Sequence, residues 1–304
     1  MNPVFSELPT TIFDVMSGLA RETGAINLGQ GFPDDPAADA ILNGWNQYPP
    51  MMGLPELRHA VAEHYARFQG LALDPVAETL VTSGATEALA AAILSVVAPG
   101  DEVILFQPMY DAYLPLVLRA GGRPRFVNLK PPHWTFARED LDAVFTPRTK
   151  AVVFNNPLNP STVFPDEQLA LLAEFCDRFD AIAICDEVWE HVVFDDRRFK
   201  SMLGVDGMRS RAIKIGSAGK IFSLTGWKVG LVAAAPPLMK VLAKAHQFLT
   251  FTTPPNLQIA VAHGLGKDEN YFNDMKYGFQ RSRDRFVREL VSMGFDVMPS
   301  HGTY

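Results

Sequence analysis

The sequence lacks the features of a secreted or membrane protein. It has only two cysteines among 304 residues, Cys176 and Cys185, too few for a disulfide framework. Both lie among apolar residues without metal-ligand spacing, so we expect reduced core thiols and no metal ligands. No apolar run approaches the length of a membrane span, and the N-terminus lacks a basic stretch followed by an apolar one. These absences predict a cytoplasmic protein with no membrane partner.

The sequence also lacks an excess of positive charge. Its formal net charge is -7, which argues against nucleic acid as a partner. A Walker A loop and a G-x-G-x-x-G fingerprint are both missing, as are internal repeats and low-complexity linkers. The length favours one large domain with a smaller one beside it.

What the sequence does contain is a regular alternation of short apolar segments with helical ones. Strands are predicted at 79–82, 101–106, 151–154, 181–185 and 231–234, with a further strand ending shortly before Lys220. Few hairpin signals separate them, and parallel strands need helical crossovers. We therefore predict an α/β fold with a largely parallel, doubly wound sheet.

Four loops at predicted strand ends carry reactive or ligand-binding groups. The 83–87 turn precedes a helix whose free N–H groups favour an anion, although Ser83 is equally well read as a plain N-cap. The 155–161 loop is rich in amides and prolines. Asp186 ends a buried strand, where a carboxylate needs a partner. Lys220 lies in a Gly-rich turn, where a desolvated amine forms Schiff bases; an isolated match of this kind would more simply be a surface lysine.

Taken together, these groups match the needs of one cofactor. Pyridoxal phosphate carries a phosphate, a ring nitrogen, a phenolic oxygen and an aldehyde. Its sites use a lysine Schiff base and commonly a carboxylate on the ring nitrogen. Ligands of open α/β sheets bind at the carboxyl ends of strands, where these loops are expected.

Several motifs make the chain resemble the fold-type-I pyridoxal-phosphate enzymes, specifically the class I/II aminotransferases. The nearest likeness is to the branch that contains kynurenine, glutamine and methionine aminotransferases. The motifs are G-Q-G-F-P-D at 29–34, N-Q-Y at 46–48, T-S-G-A-T-E-A at 82–88, N-N-P-L-N-P at 155–160, D-E-V at 186–188, S-A-G-K at 217–220 and G-W-K-V-G at 226–230. They occur in the family's order over essentially the whole chain.

The resemblance implies roles around the cofactor ring. Lys220 would form the Schiff base and then shuttle a proton between the substrate Cα and the cofactor. Asp186 would pair with the protonated ring nitrogen, and Asn159 would hydrogen-bond the phenolic oxygen and contact substrate. Tyr110 would stack on the ring face.

The resemblance also implies a phosphate site and a substrate site. Backbone N–H groups of Gly84 and Ala85 would bind the phosphate together with Ser217 and Lys228. Tyr48 would reach the phosphate from the neighbouring subunit, because the family builds its site across a homodimer interface. Gly31 would line the pocket for the substrate's α-carboxylate.

Three positions depart from the family's pattern. Trp189 stands where a tyrosine usually donates its hydroxyl to the phenolic oxygen, so we expect altered tuning rather than loss of activity. The loop after Asn159 reads P-S-T at 160–162 instead of the usual P-T-G. The sequence ends at H-G-T-Y, 301–304, which resembles the start of a core strand in the family's smaller domain.

That ending leaves the arginine that grips the α-carboxylate unassigned. Arg281, Arg283 and Arg285 are expected to form a solvated helix face. We hypothesise that this chain alone binds pyridoxal phosphate poorly and transaminates weakly. The expected organisation is an N-terminal arm at 1–35, a large cofactor domain at 36–263 and the incomplete beginning of a smaller domain at 264–304.

The expected function is amino-group transfer from an L-amino acid to a 2-oxo acid in amino acid metabolism. A large neutral donor is favoured, such as methionine, glutamine, kynurenine or an aromatic amino acid. A succinyldiaminopimelate-type biosynthetic aminotransferase and a pyridoxal-phosphate-dependent C–S β-lyase are the alternatives. A cofactor-sensing regulator is disfavoured, since too few residues precede Asn27 for a DNA-binding domain.

Overall fold

One mixed sheet of seven strands forms the centre of the structure. The computed structural model describes residues 12–25, 47–159 and 162–303. The strands lie in the order β1-β7-β6-β5-β4-β2-β3. Their bounds are β1 Thr79–Thr82, β2 Glu102–Gln107, β3 Arg123–Asn128, β4 Thr149–Asn155, β5 Ile182–Asp186, β6 Ala212–Ser217 and β7 Gly230–Ala234.

All of these strands except β7 run in the same direction. β2 pairs in parallel with β3 and β4, and β4, β5 and β6 continue the parallel set. β7 lies antiparallel between β6 and β1. The sheet confirms the predicted α/β fold, and the carboxyl ends of six strands consequently meet at one edge.

Helices cover both faces of the sheet. Their bounds are α1 Ile12–Thr23, α2 Pro55–Gln69, α3 Gly84–Val96, α4 Tyr113–Arg119, α5 Arg138–Asp142, α6 Asp166–Arg178, α7 Ala218–Ile221, α8 Pro236–Leu249, α9 Pro255–Leu265 and α10 Glu269–Ser292. Within the residues described, no helix combines the length and apolarity needed to traverse a bilayer.

The apolar core has two layers because neighbouring side chains of a strand point to opposite faces. In β4, Val152 and Phe154 join one cluster, while Ala151 and Val153 join the other. The first layer is completed by α2, α6 and α9, and the second by α3, α4 and α8. This three-layer arrangement explains why the strands read as continuous apolar runs. Both cysteines are free and buried in the first layer.

Helix boundaries differ from the sequence expectations mainly at α3. The Ala-rich periodicity suggested a start at Ala88, but the helix begins at Gly84. Gly84 has φ of 81°, a conformation that glycine adopts without a Cβ penalty. The early start places Gly84 and Ala85 in the first helical turn, where backbone N–H groups have no helical acceptor.

The last described residues lie against the segment that follows β5. Gly302 forms an antiparallel bridge with Val193, and Phe194 N–H donates to His301 O at 2.9 Å. Nearby, Arg283 of α10 pairs with Asp195 at 2.6 Å and lies over the Phe194 ring. The expectation of a solvated face is therefore wrong for Arg283, whose side chain is only 17% exposed. Arg281 and Arg285 are exposed as expected.

Candidate active site

A cavity of about 490 Å³ opens at the shared carboxyl edge of the parallel strands. The segments that follow β1, β2, β4, β5 and β6 line it, because these strands end side by side. The structure thus brings together loops that are remote in sequence. The predicted site residues that line it are Gly84, Ala85, Tyr110, Asn159, Asp186, Ser217, Lys220 and Lys228.

Of the predicted site residues that the structure describes, Tyr48 is not among those lining the cavity. Tyr48 is exposed, and its ring meets the edge of Phe251 at a centroid distance of 5.6 Å. The structure therefore does not bring Tyr48 to the cavity of its own chain. Gly31 lies outside the described residues, as do the rest of the 29–34 motif and positions 160 and 161 of the loop after Asn159.

The Asp186 carboxyl group is buried at the tip of β5. The Tyr113 hydroxyl donates to its Oδ2 at 2.6 Å, whereas its Oδ1 has no hydrogen-bond donor among the described residues. Burial raises the pKa of Asp186 to about 6, although the Tyr113 hydroxyl and the Val188 N–H act in the opposite direction. The cavity wall thus holds one carboxylate oxygen that a further donor could satisfy.

Lys220 is placed by the short helix α7, directly after β6. Its Nζ lies 4.7 Å from the centroid of the Trp189 ring. Trp189 is itself buried with Val188, Val192 and Phe194 in a small apolar cluster. The residue that departs from the family's tyrosine therefore presents an aromatic face to the amine, where a cation is attracted to the ring.

Gly84 and Lys228 form a tight corner at one end of the cavity. A Cβ atom on Gly84 would lie 3.1 Å from Lys228 Cε, so a side chain there would crowd the lysine. Lys228 is held in the left-handed region with φ of 55°, which is uncommon outside glycine. The Ser83 side chain makes no capping hydrogen bond, so the plain N-cap reading of this turn is wrong.

Gly230 allows the strands around this corner to approach one another. A Cβ atom there would lie 2.6 Å from the carbonyl carbon of Gly84 and would also collide with Thr82 Oγ1. Gly230 pairs with both Thr82 and Ser217 in the sheet. The first residue of β7 therefore fixes the spacing between the turn before α3 and the end of β6.

Sequence reasoning missed two residues that shape the site. Asn155 Nδ2 donates to Asp186 O at 2.8 Å, and Asn155 Oδ1 accepts from the Asn159 N–H at 3.1 Å. This amide therefore fixes the Asn159 loop against the end of β5. Tyr113, the donor to Asp186, lies 73 positions away in sequence. The amide-rich motif was a signal for Asn155, whereas no local signal pointed to Tyr113.

Comparison with known proteins agrees with this geometry. The family model "Aminotransferase class I and II" matches residues 23–304. The chain belongs to the class I and II aminotransferases. The enzymes of this family are fold-type-I transaminases that use pyridoxal phosphate.

Individual aminotransferases resemble the chain over most of their length. A probable N-succinyldiaminopimelate aminotransferase of Mycobacterium tuberculosis is 43% identical, with 97% of this chain and 77% of that protein covered. The methionine aminotransferase of Escherichia coli is 38% identical, with 98% and 80% covered. A solved structure of the M. tuberculosis N-succinyldiaminopimelate aminotransferase superposes with a TM-score of 0.85 at 42% identity, over 97% of this chain and 80% of that one.

Proposed function

We propose that this aminotransferase transfers the amino group of a large neutral L-amino acid to a 2-oxo acid, with the cavity at the carboxyl edge of the sheet as its active site. The observation that carries the proposal is the pairing, in one cavity, of the Lys220 amine with a buried Asp186 carboxylate that has one unsatisfied oxygen. Transaminases of this family need both a covalent anchor and an acid on the cofactor ring.

The ring end of the cavity fits pyridoxal phosphate. An unpartnered buried carboxylate oxygen is costly, and the protonated pyridine nitrogen supplies the missing donor. The positive ring nitrogen would also favour the ionised form of Asp186 against the burial that raises its pKa. We therefore assign Asp186 to the ring nitrogen and Asn159, at the adjoining wall, to the phenolic oxygen. Tyr110 lines the same space and is assigned to the ring face.

The opposite end fits the phosphate. The first turn of α3 offers uncapped N–H groups of Gly84 and Ala85, and the helix dipole adds a favourable field for an anion. Lys228 lies against Gly84 and contributes a positive charge. Ser217 ends β6 beside them and supplies a hydroxyl donor.

Lys220 carries the proton transfers of the reaction. When bound, pyridoxal phosphate supplies an aldehyde and a ring that withdraws electrons from the substrate Cα. Lys220 Nζ would hold the cofactor through its aldehyde carbon. As a base, the Lys220 amine would take the proton from the substrate Cα and would hold it for delivery to the cofactor. The face of the Trp189 ring lies beside Lys220 Nζ.

The donor is proposed from the walls of the cavity and from the relatives. Leu89, Met109, Val188 and Trp189 give the cavity apolar surface, which suits an uncharged side chain. One relative is a methionine aminotransferase, and a human relative at 38% identity is kynurenine–oxoglutarate transaminase 1. A succinyldiaminopimelate donor is the second candidate, because of the 43% identity to the M. tuberculosis protein.

The remaining assignments concern the assembly. Tyr48 is exposed and is not among the residues lining the cavity. A residue that serves the site of a second subunit is expected to have both properties. We infer a cytoplasmic homodimer in which Tyr48 reaches the partner's phosphate and Gly31 lines the carboxylate pocket. We also infer a large domain at 36–263 and a smaller one that begins at 264, at the end of α9.

A spectroscopic half-reaction tests the function. The purified chain is loaded with pyridoxal phosphate, and its visible absorption is followed after addition of methionine, glutamine, kynurenine or N-succinyldiaminopimelate. Conversion to the pyridoxamine spectrum with a neutral donor supports the proposal, while conversion with N-succinyldiaminopimelate alone selects the second candidate. A loaded protein that ignores every donor would overturn both.

Product analysis separates a transaminase from a β-lyase. The same samples are assayed for pyruvate released from a cysteine conjugate without any 2-oxo acid present. Pyruvate release at a rate above that of amino-group transfer would favour the lyase. A separate titration of the cofactor-free chain with pyridoxal phosphate measures the weak cofactor binding expected from the sequence.

A further inference from the structure

A buried cluster of charged groups lies on the sheet face opposite α3, away from the cavity. Lys214 of β6 is fully buried, and its ammonium donates to Glu187 Oε2 at 2.8 Å and to Glu190 Oε2 at 2.6 Å. Burial alone would lower the pKa of Lys214, but the two carboxylates raise it well above its ordinary range. One cation and two anions leave a net negative charge in the protein interior, which is expensive without a further positive partner.

Two imidazoles lie beside this cluster. His64 of α2 and His191 face each other with their Nε2 atoms 2.8 Å apart. His64 Nδ1 lies 3.3 Å from Leu265 O, and a carbonyl only accepts, so His64 carries its proton on Nδ1 and a lone pair on Nε2. Burial lowers the pKa of His64 and that of His191, the latter to about 4. Neutral imidazole is the form that binds metals.

Glu190 completes the set with an oxygen that has no partner. Its Oε2 accepts from both Lys214 and Gln69, whereas its buried Oε1 has no hydrogen-bond donor among the described residues. Ligand atoms of His64, Glu190 and His191 all lie within 4.8 Å of one another. Of the three candidate ligand atoms, Glu190 Oε1 is the one without a hydrogen-bond partner among the described residues, and it belongs to the residue next to His191.

We propose that His64 Nε2, His191 Nε2 and Glu190 Oε1 bind one divalent transition-metal ion, with zinc the best match. Two imidazoles and a carboxylate are a common zinc ligand set, whereas calcium and magnesium require mostly oxygen ligands. The fourth position would hold water. The Nδ1 contact of His64 with Leu265 O orients the ring as metal-binding histidines usually are oriented.

Metal binding requires a small movement of the ligand side chains. Tetrahedral zinc with bonds of about 2.0–2.1 Å places its ligand atoms roughly 3.4 Å apart. The Nε2 atoms of His64 and His191, 2.8 Å apart, must therefore separate by about 0.6 Å. Glu190 Oε1 is the atom that no hydrogen bond restrains. Binding also moves the His191 Nε2 proton to Nδ1, so the ring stays neutral.

A metal here would be structural with respect to the cavity. It would join α2, which carries His64, to the turn after β5, which carries Glu190 and His191. The same turn carries Trp189, whose ring lies beside Lys220 Nζ. The ion would hold that indole in place without contacting substrate or cofactor.

Zinc binding by three variants tests the proposal. The cofactor-loaded full chain is stripped with a chelator and dialysed against micromolar zinc chloride, with magnesium chloride in parallel. His191→Gln and His64→Gln each remove one ligand. His59→Gln is the matched control, because His59 is exposed on the same helix and its Nδ1 contacts only its own helix at Pro55 O.

We expect the wild type and His59→Gln to bind one zinc equivalent more than the ligand variants, with at least a tenfold loss of affinity in each ligand variant. Zinc should raise the melting temperature of the wild type and of His59→Gln only. Because the wild type and all the variants carry the cofactor, any zinc bound by pyridoxal phosphate contributes equally to each and cancels in the comparison. Equal zinc binding by His191→Gln and His59→Gln, or none by the wild type, overturns the proposal. His191 is partly exposed, so its variant remains informative if His64→Gln does not fold.

Discussion

Replacing Asp186 with asparagine should stabilise the cofactor-free protein. The same change should remove most of the activity of the cofactor-loaded protein. The buried carboxyl group has a pKa raised from its ordinary value of 3.8 to about 6. Between these two pH values the folded protein keeps a proton that the unfolded chain has lost. Stability from this group therefore falls as the pH rises through that window and is constant above it.

The shift sets the size of the effect. The raised pKa of Asp186 lowers the stability of the cofactor-free protein by about 2 kcal/mol at pH 5 and by about 3 kcal/mol at pH 7.5, because each pKa unit is worth about 1.36 kcal/mol. Asparagine keeps an oxygen that can accept from Tyr113 and carries no charge. The stability of Asp186→Asn relative to the wild type should therefore grow by about 1 kcal/mol between pH 5 and pH 7.5.

Urea unfolding of the cofactor-free proteins at both pH values measures this difference. Asp206→Asn is the control, because it makes the same change at an exposed position, and its stability should differ from that of the wild type by a similar amount at both pH values. In the cofactor-loaded protein, Asp186→Asn should slow the half-reaction at least about a hundredfold, as the loss of an oriented charge in an active site does. A pH-independent difference in stability would refute the burial argument, even if activity were lost.

Two further predictions concern the buried charge cluster and the wall of the cavity. Lys214→Met should destabilise the protein by about 3–5 kcal/mol in urea unfolding at pH 7.5, because it leaves two buried carboxylates without their cation. Part of the lost stability should be regained at pH 5.5, where the carboxylates can take up protons. Most of it should be regained in a triple variant that also carries Glu187→Gln and Glu190→Gln. A loss below about 1 kcal/mol for Lys214→Met at pH 7.5 would contradict this reasoning. Trp189→Ala should slow the half-reaction roughly 2- to 30-fold in stopped-flow absorbance, since the ring contact with Lys220 is worth about 0.5–2 kcal/mol, whereas Trp189→Phe should stay close to the wild type. Equal rates for the alanine and phenylalanine variants would show that the ring face has no role.

The fold could be predicted because local and global patterns agree. Apolar strands alternating with helices gave the parallel sheet, and Thr79–Thr82 has the predicted bounds. The loops carrying Gly84, Asp186 and Lys220 were placed at one edge because parallel strands end together. The position of β7 between β6 and β1 was not evident, since its apolar residues read alike in either direction.

The buried charges could not be predicted from the sequence. Lys214 lies within an apolar run and resembles an accidental surface residue of the strand, yet it is fully buried. Its partners Glu187 and Glu190 become recognisable only when β5 and β6 lie side by side. Arg283 was expected to be solvated like Arg281 and Arg285, because all three lie on one charged helix. That expectation failed for Arg283 for the same reason, since its partner Asp195 comes from the distant segment after β5. Tertiary pairing of distant charges leaves no local periodicity to detect.

The reversed strand β7 has a consequence for the order of folding. Among the residues that the structure describes, β1 pairs in the sheet with β7 alone, which lies far along the chain, so this contact closes the largest loop within the sheet. The turn before α3 cannot reach the end of β6 until Gly230 has paired with both Thr82 and Ser217. Contacts of such long range form late, because the loop entropy must be overcome before they contribute. Phosphate binding at this corner would therefore require the completed sheet. An intermediate that lacks β7 would not bind the cofactor phosphate there.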